Sequence, residues 1–359
     1  MTTTIRLRGP ADMVTVLPYH LGFRPADSIV LVCLRGRPLG LVQRLDLPPR
    51  GTDPAAVVEV MLPAVLRERA DRCMIVAYEM RQGDSEAVSE ALRDALTAEG
   101  LQVLDRLVVR DGRWYSRECT SGCCPPQGSP LPEDGDVPAV ADFVALGRHP
   151  TASRDELDSR LAPVDGALMD QLVGEATPLM DELSQARCTG VGLDRLRRLA
   201  LRDWALLLAV DDGTYLQTKL GVPTLARLAA SLRDVELRDL VTAWICPGTL
   251  ELDVFEPALV RMASSLLPPT AVDGADGPDV ETSVAQHRVE ERLIQLCRHS
   301  PEAFATGPLT VLASFTWWLG DGALTRLAID RALALDPDYR LAQLLERVVD
   351  LAIRPRRSA

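Results

Sequence analysis

The chain has 359 residues, 47% of them hydrophobic and 25% charged, with a formal net charge of −12. That composition is globular, and the length suggests two domains with ample room for a core. The acidic balance argues against a general affinity for nucleic acid, which cationic contacts to phosphate drive, and no apolar run approaches the roughly 18 residues of a membrane helix. Met1–Arg6 lacks the charged-then-apolar plan of a signal peptide, so a cytoplasmic protein is expected. Lys219 is the sole lysine and asparagine is absent. Both residues need A-rich codons, so the coding is GC-rich. Arginine is then the default cation, and one arginine alone is weak evidence of a selected guanidinium.

In chain order, Thr4–Arg8 reads as a short strand. Pro10 opens a helix with Met13, Val14, Val16 and Leu17 on its apolar side, ending at Pro18. A tight Gly22–Pro25 connection leads into Ile29–Leu34, six apolar residues without a break. Alternation would mean one wet face. An unbroken β-branched run means both faces are covered, so this strand is expected at the centre of a sheet flanked by helices. Leu39, Leu41, Leu45 and Leu47 recur at even spacing, a half-buried strand returning antiparallel after a turn at 35–38.

Asp53-Pro54 opens a helix to about Ala70. Cys73–Ala77 is a second continuous apolar strand. Gly83-Asp84-Ser85 starts a helix that ends at Gly100, and Leu101–Val109 is a strand. Asp111-Gly112 is a two-residue hairpin signal, returning through Trp114 and Tyr115. Strands and helices in this order predict a mixed α/β domain over 1–150, with a partly parallel sheet and right-handed crossovers. Five prolines between Pro125 and Pro138 mark a Cys/Pro-rich surface loop over 116–138.

From 151 to 359 the pattern is all-helical. Leu193, Leu196, Leu199 and Trp204 form one apolar stripe. Further helices are expected near 166–186, 222–233, 235–245 and 251–266. A linker over 268–282 is acidic and glycine-rich but lacks the ligand register of a calcium loop. Leu309–Trp318 and Ala323–Leu335 are a helix pair around a tight turn, followed by a third helix at 338–353. Ala332-Leu333, Leu335 and Pro337 look like the end of a tetratricopeptide repeat within repeat-like helices at 307–353. A single copy cannot stack on itself, so it is expected to pack on the preceding helices.

Several chemistries have no motif here. There is no phosphate-binding G-x-x-x-x-G-K-[ST] loop, no G-x-G-x-x-G after a strand, no G-x-S-x-G elbow and no H-E-x-x-H. The four histidines form no ligand-spaced pair. Two candidate sites remain. Cys119, Cys123 and Cys124 put three thiols within six residues of a loop. Thiolates are good zinc ligands, and Cys188 or His149 could supply a fourth. A redox-active pair and plain loop packing are the other readings of these thiols. The second candidate is a crevice beyond the carboxyl ends of the strands, where open α/β sheets bind small ligands. It points to Tyr78, Glu79 and the helix start at Gly83-Asp84-Ser85, which also reads as a simple cap. Tyr19, Arg24, Asp27, Arg113 and Trp114 complete the candidate ligand-binding set.

Several segments together resemble an actinobacterial family known as domain-of-unknown-function family 4192. They are Pro18-Tyr19 with Leu21-Gly22-Phe23 and Pro25; Asp27-Ser28 with the apolar strand; Arg113-Trp114 with Ser116 and Cys119; Cys123-Cys124-Pro125 with Gly128 and Pro130; and Trp318–Ala323 continuing to Asp336–Tyr339. The resemblance implies no activity, cofactor or site residue. The reading that follows is a non-catalytic binding or scaffold module that engages a protein partner through its helical half. The alternative is an enzyme or sensor for a small ligand between the sheet edge and the 113–124 loop, with zinc as a structural ion. Convergence of segments 18–28, 78–85 and 113–124 on one concave pocket would favour the alternative.

Overall fold

The computed structural model describes residues 7–36, 39–120, 122–209, 219–272 and 279–355. It divides into two compact units, one up to Arg154 and the other from Asp155 onward.

The first unit runs α1 (Pro10–Leu21), β1 (Ser28–Leu34), β2 (Leu39–Asp46), α2 (Ala55–Glu68), β3 (Arg72–Tyr78), α3 (Glu86–Ala98), β4 (Gln102–Arg110), β5 (Arg113–Ser116), β6 (Ser129–Pro130) and α4 (Pro138–Ala145). Among the described residues the strands form one sheet, ordered β2-β1-β3-β4-β5-β6. β1 pairs antiparallel with β2 on one side and β3 on the other, and β3 and β4 are the parallel pair. The class is therefore α/β with a mixed sheet.

The unbroken run in β1 has the anticipated cause. Side chains alternate between faces, and here both faces are dry. Ile29, Leu31 and Cys33 join Met61 and Val65 of α2 and Leu92 and Leu96 of α3 in one core. Val30 and Val32 point the other way and pack with Met13, Val14 and Leu17 of α1. Each such side chain contributes about 1.5–3 kcal/mol by leaving water.

Two expectations for this unit need correction or restriction. Of the expected first strand, Leu7 and Arg8 carry none, and residues 4–6 lie outside the described residues. The first helix continues through Pro18 to Leu21. Proline has no N–H for the carbonyl four residues back, which here is Val14. The Tyr78 hydroxyl lies 3.5 Å from that carbonyl, at the long limit of a hydrogen bond, and partly replaces the lost donor. Gly22, at φ 78°, then ends the helix in the left-handed region.

The second unit is helical throughout its described residues: α5 (Arg154–Ser159), α6 (Ala167–Thr189), α7 (Leu193–Ala209), α8 (Val222–Ser231), α9 (Val235–Ile245), α10 (Pro257–Leu266), α11 (Val280–Arg298), α12 (Glu302–Leu319), α13 (Gly322–Leu335) and α14 (Arg340–Asp350). The expected helix over 251–266 is split. A single 3-10 turn at Leu252–Val254 precedes α10, which starts at Pro257, where a proline needs no N–H donor. The centre of the expected 268–282 linker lies outside the described residues. Its end is Asp279, whose carboxylate accepts from Thr282 N and caps α11.

α12 is buried along almost its whole length, including Phe315 and Trp318. A helix apolar all round belongs at the centre of a bundle. The turn into α13 is made by Gly320, at φ 86°, and by the Asp321 carboxylate, which accepts from Leu324 N. Trp318 is a core residue whose Nε1 donates to Pro247 O, whereas Trp317 lies at the edge and donates to Ile353 O. In α14, Ala342 and Leu345 face the core and Leu344 faces outward.

Ile75 is fully buried on β3, in the core shared with α2 and α3. Ile75→Ala is expected to destabilise the protein by about 2–5 kcal/mol. Val60→Ala, on the exposed side of α2, is expected to stay within about 0.5 kcal/mol of the parent. Urea denaturation followed by circular dichroism measures both.

Candidate functional site

The carboxyl end of β3 delivers Glu79, which sequence reasoning placed in a ligand crevice. Its side chain is wholly buried and its backbone N–H continues the sheet to Val109 O. Four donors surround the carboxylate: Gly83 N at 3.2 Å, Ser85 N at 3.0 Å, Ser85 Oγ at 2.6 Å and Arg110 Nη1 at 2.7 Å. The N–H groups at a helix start make an anion site, and here the protein's own carboxylate occupies it. The capping reading of Asp84-Ser85 is corrected accordingly, since Ser85 donates rather than caps. Asp84 Oδ2 accepts from Arg81 N, and its Oδ1 takes Arg50 Nε at 2.5 Å. Burial by itself would raise the Glu79 pKa. The bonds from Ser85, Gly83 and Arg110 outweigh it and hold the carboxyl below its ordinary value.

The other members of the candidate ligand-binding set are held by different partners. Tyr19 Oη donates to Asp134 Oδ2 at 2.8 Å, and Arg24 Nη2 reaches the same oxygen at 2.9 Å. Burial first, and then that bond, raise the Tyr19 hydroxyl above its usual value. Asp27 acts through its backbone: it sits at φ 42°, a region aspartate tolerates, and its carbonyl accepts from Leu47 N. Tyr78 and Trp114 pack in the apolar layer under α1. Arg113 donates from Nε to Gln127 O and from Nη2 to Gly128 O, both at 2.8 Å. Two clefts of the helical unit, one beside Arg197 and Leu183 and one beside Arg292 and Phe315, include none of these residues.

The thiol loop is where the sequence-predicted residues do come together. Cys119 Sγ lies 3.3 Å from Cys123 Sγ, which lies 4.0 Å from Cys124 Sγ, and all three sulfurs fall within 4.8 Å of one another. The β4–β5 hairpin, turned by Asp111 and Gly112 at φ 52° and 67°, supports both legs of this loop. On the leading leg, Ser116 Oγ bonds the Asp105 carboxylate at 2.8 Å and accepts from Cys119 N at 3.1 Å. Buried Arg106 holds Glu118 at 2.5 Å. On the trailing leg, Gly128 N closes a turn onto Pro125 O at 2.8 Å, and the Arg113 bonds fix its carbonyl side. Gly128 is at φ +73°, and a Cβ there would stand 2.6 Å from the Tyr115 ring. The Cys124 thiol is pushed up to about 12, first by its hydrogen bond with Cys119, then by burial and by Cys123. Cys73, Cys246 and Cys297 are core thiols, each raised by burial and inert for that reason. Cys188 is exposed near the end of α6 in the helical unit. His149 does not belong to the sulfur cluster.

Sequence reasoning missed Arg110, Asp134, Asp105 and Ser116 as the partners that organise these groups. Asp134 is 115 residues from Tyr19 in the chain. No local spacing could reveal that pair. A model of one family, described as a domain of unknown function (DUF4192), matches residues 10–272 and 280–356. The chain belongs to this family. No curated protein and no solved structure matches it. The DUF4192 match takes in both the Glu79 station and the thiol loop.

Two outcomes follow from this geometry. Because Glu79 is held below the free glutamate value of about 4.3, its stabilisation is fully present above that pH and is lost as pH falls through the lowered folded value. Glu79→Gln is expected to cost about 3 kcal/mol at neutral pH, since it leaves Arg110 without its buried partner. It should also flatten the fall in stability below about pH 4.5, and urea midpoints across pH read both effects. Gly128→Ala forces a side chain into the left-handed region and against Tyr115. It is expected to destabilise by about 1–3 kcal/mol and to speed alkylation of Cys119 and Cys123, followed by peptide mass mapping.

Proposed function

We propose that this protein is a non-catalytic binding module of the cytoplasm that engages a protein partner through its helical unit. One observation carries the reading. Tyr19, Arg24, Glu79 and Arg113 are each engaged by another part of the chain, and Glu79 has four donors on its carboxylate. A general acid or base must meet a substrate proton within hydrogen-bond reach, and Tyr19 with Arg24, Glu79 and Arg113 bond to separate partners instead. The rival reading, a small-ligand enzyme or sensor in that crevice, therefore has less support.

The helical unit offers the complementary feature. Its last two helices and the turn that follows them expose Leu335, Leu344, Leu351 and Ile353, while α12 and the inner side of α14 fill the core. Apolar side chains at the end of a helical array are the kind of surface that protein partners cover. No helix among the described residues is long and apolar enough to cross a membrane.

The test is affinity purification of the full chain from its native cells with chemical crosslinking and mass spectrometry. The parent is expected to recover a defined partner, and the Leu344→Glu/Leu351→Glu variant to lose it by tenfold or more with unchanged helicity and melting temperature. Recovery of no partner by the parent, or equal recovery by the variant, refutes the proposal.

A further inference from the structure

We propose that Cys119, Cys123 and Cys124 form a zinc site of three thiolates with an open fourth position. The observation is the cluster of three sulfurs on a loop whose two ends are both tied to the β4–β5 hairpin. Four-coordinate zinc with Zn–S bonds of about 2.3 Å sets neighbouring sulfurs about 3.8 Å apart. The separations here, 3.3 and 4.0 Å with a third no longer than 4.8 Å, bracket that spacing. A disulfide would need about 2.05 Å.

Donor chemistry decides the class of ion. Three sulfurs and no oxygen donor select a thiophilic ion over calcium or magnesium, which take oxygen ligands. Among the described residues no carboxylate or imidazole joins the three sulfurs within 4.8 Å. Among the described residues nothing fills the fourth position, which leaves it open to water or to an added ligand. Binding exchanges three S–H bonds for three Zn–S bonds. It releases three protons to solvent and leaves a complex of net charge −1. Cys123 is exposed, so an ion has a path in.

The positioning is built from outside the ligand set. Ser116 is bonded at once to the Asp105 carboxylate and to the Cys119 backbone N–H, which fixes where the first thiol leaves the hairpin. Arg113 fixes the turn that follows Cys124. Such outer partners typically change metal affinity by about 10–100-fold when removed.

The experiment uses the full chain, reduced and stripped of metal, titrated first with Co²⁺ and then with Zn²⁺. Saturation at one equivalent per chain is expected, with a sulfur-to-cobalt charge-transfer band that Zn²⁺ abolishes. Cys119→Ser and Cys123→Ser should each weaken binding by about 10–100-fold or more, and Cys188→Ser should leave it unchanged. Zinc should also protect Cys119, Cys123 and Cys124, but not Cys188, from alkylation, a readout that needs no variant to fold. Absence of the charge-transfer band, or a band that survives the Cys119→Ser/Cys123→Ser double substitution, overturns the proposal. So does a Cys119–Cys123 disulfide in protein that takes up no metal once reduced.

Discussion

The architecture of the first unit depends on β1 being buried on both faces. Its odd-numbered residues fill the core under α2 and α3, and its even-numbered residues fill the core under α1. With no polar face, this strand has no place at a wet surface. β2 and β3 must pair on either side of it, and helices must cover both layers. The β3–α3–β4 crossover then delivers the end of β3 next to the start of α3, and the β4–β5 hairpin extends the sheet toward the thiol loop.

That placement has a consequence for chemistry. An open α/β sheet concentrates partial positive charge at the helix start beside the strand ends, where small anions bind in many such folds. Here Glu79 supplies the anion from within the chain, with Arg110 as its counter-charge. A carboxylate desolvated this completely is stable only because its acceptor sites are met, and the groups meeting it are thereby withdrawn from any ligand. The cysteine loop differs in kind. Its thiols are partly exposed and gathered against one another, while its backbone is anchored from outside the cluster.

In the helical unit the constraint is α12, which is buried on all sides and leaves its neighbours to carry the amphipathic pattern. Charge is handled inside the unit. Arg197, nearly buried, pairs with Asp234 at 2.7 Å and with Glu236 at 2.8 Å. Arg197 is thereby withdrawn from the surface, whereas Arg195, two residues earlier, is an exposed partner of Glu182.

Local rules in the sequence determined the element types, because they depend on near neighbours. The unbroken run from Ile29, the Asp111-Gly112 turn and the closely spaced thiols of 119–124 are all legible within a few residues, and the resemblance to DUF4192 is legible in the sequence as well. Tertiary structure decided everything that rests on a distant partner. Pro18 sits inside a helix, where the Tyr78 hydroxyl of a strand lies beside the carbonyl its ring leaves free. The helix start at 83–85 is capped by Glu79 from the preceding strand, and Tyr19 and Arg24 meet on Asp134 more than a hundred residues away. Whether a charged group is available for chemistry depends on what else reaches it in space, and spacing along the chain carries no record of that.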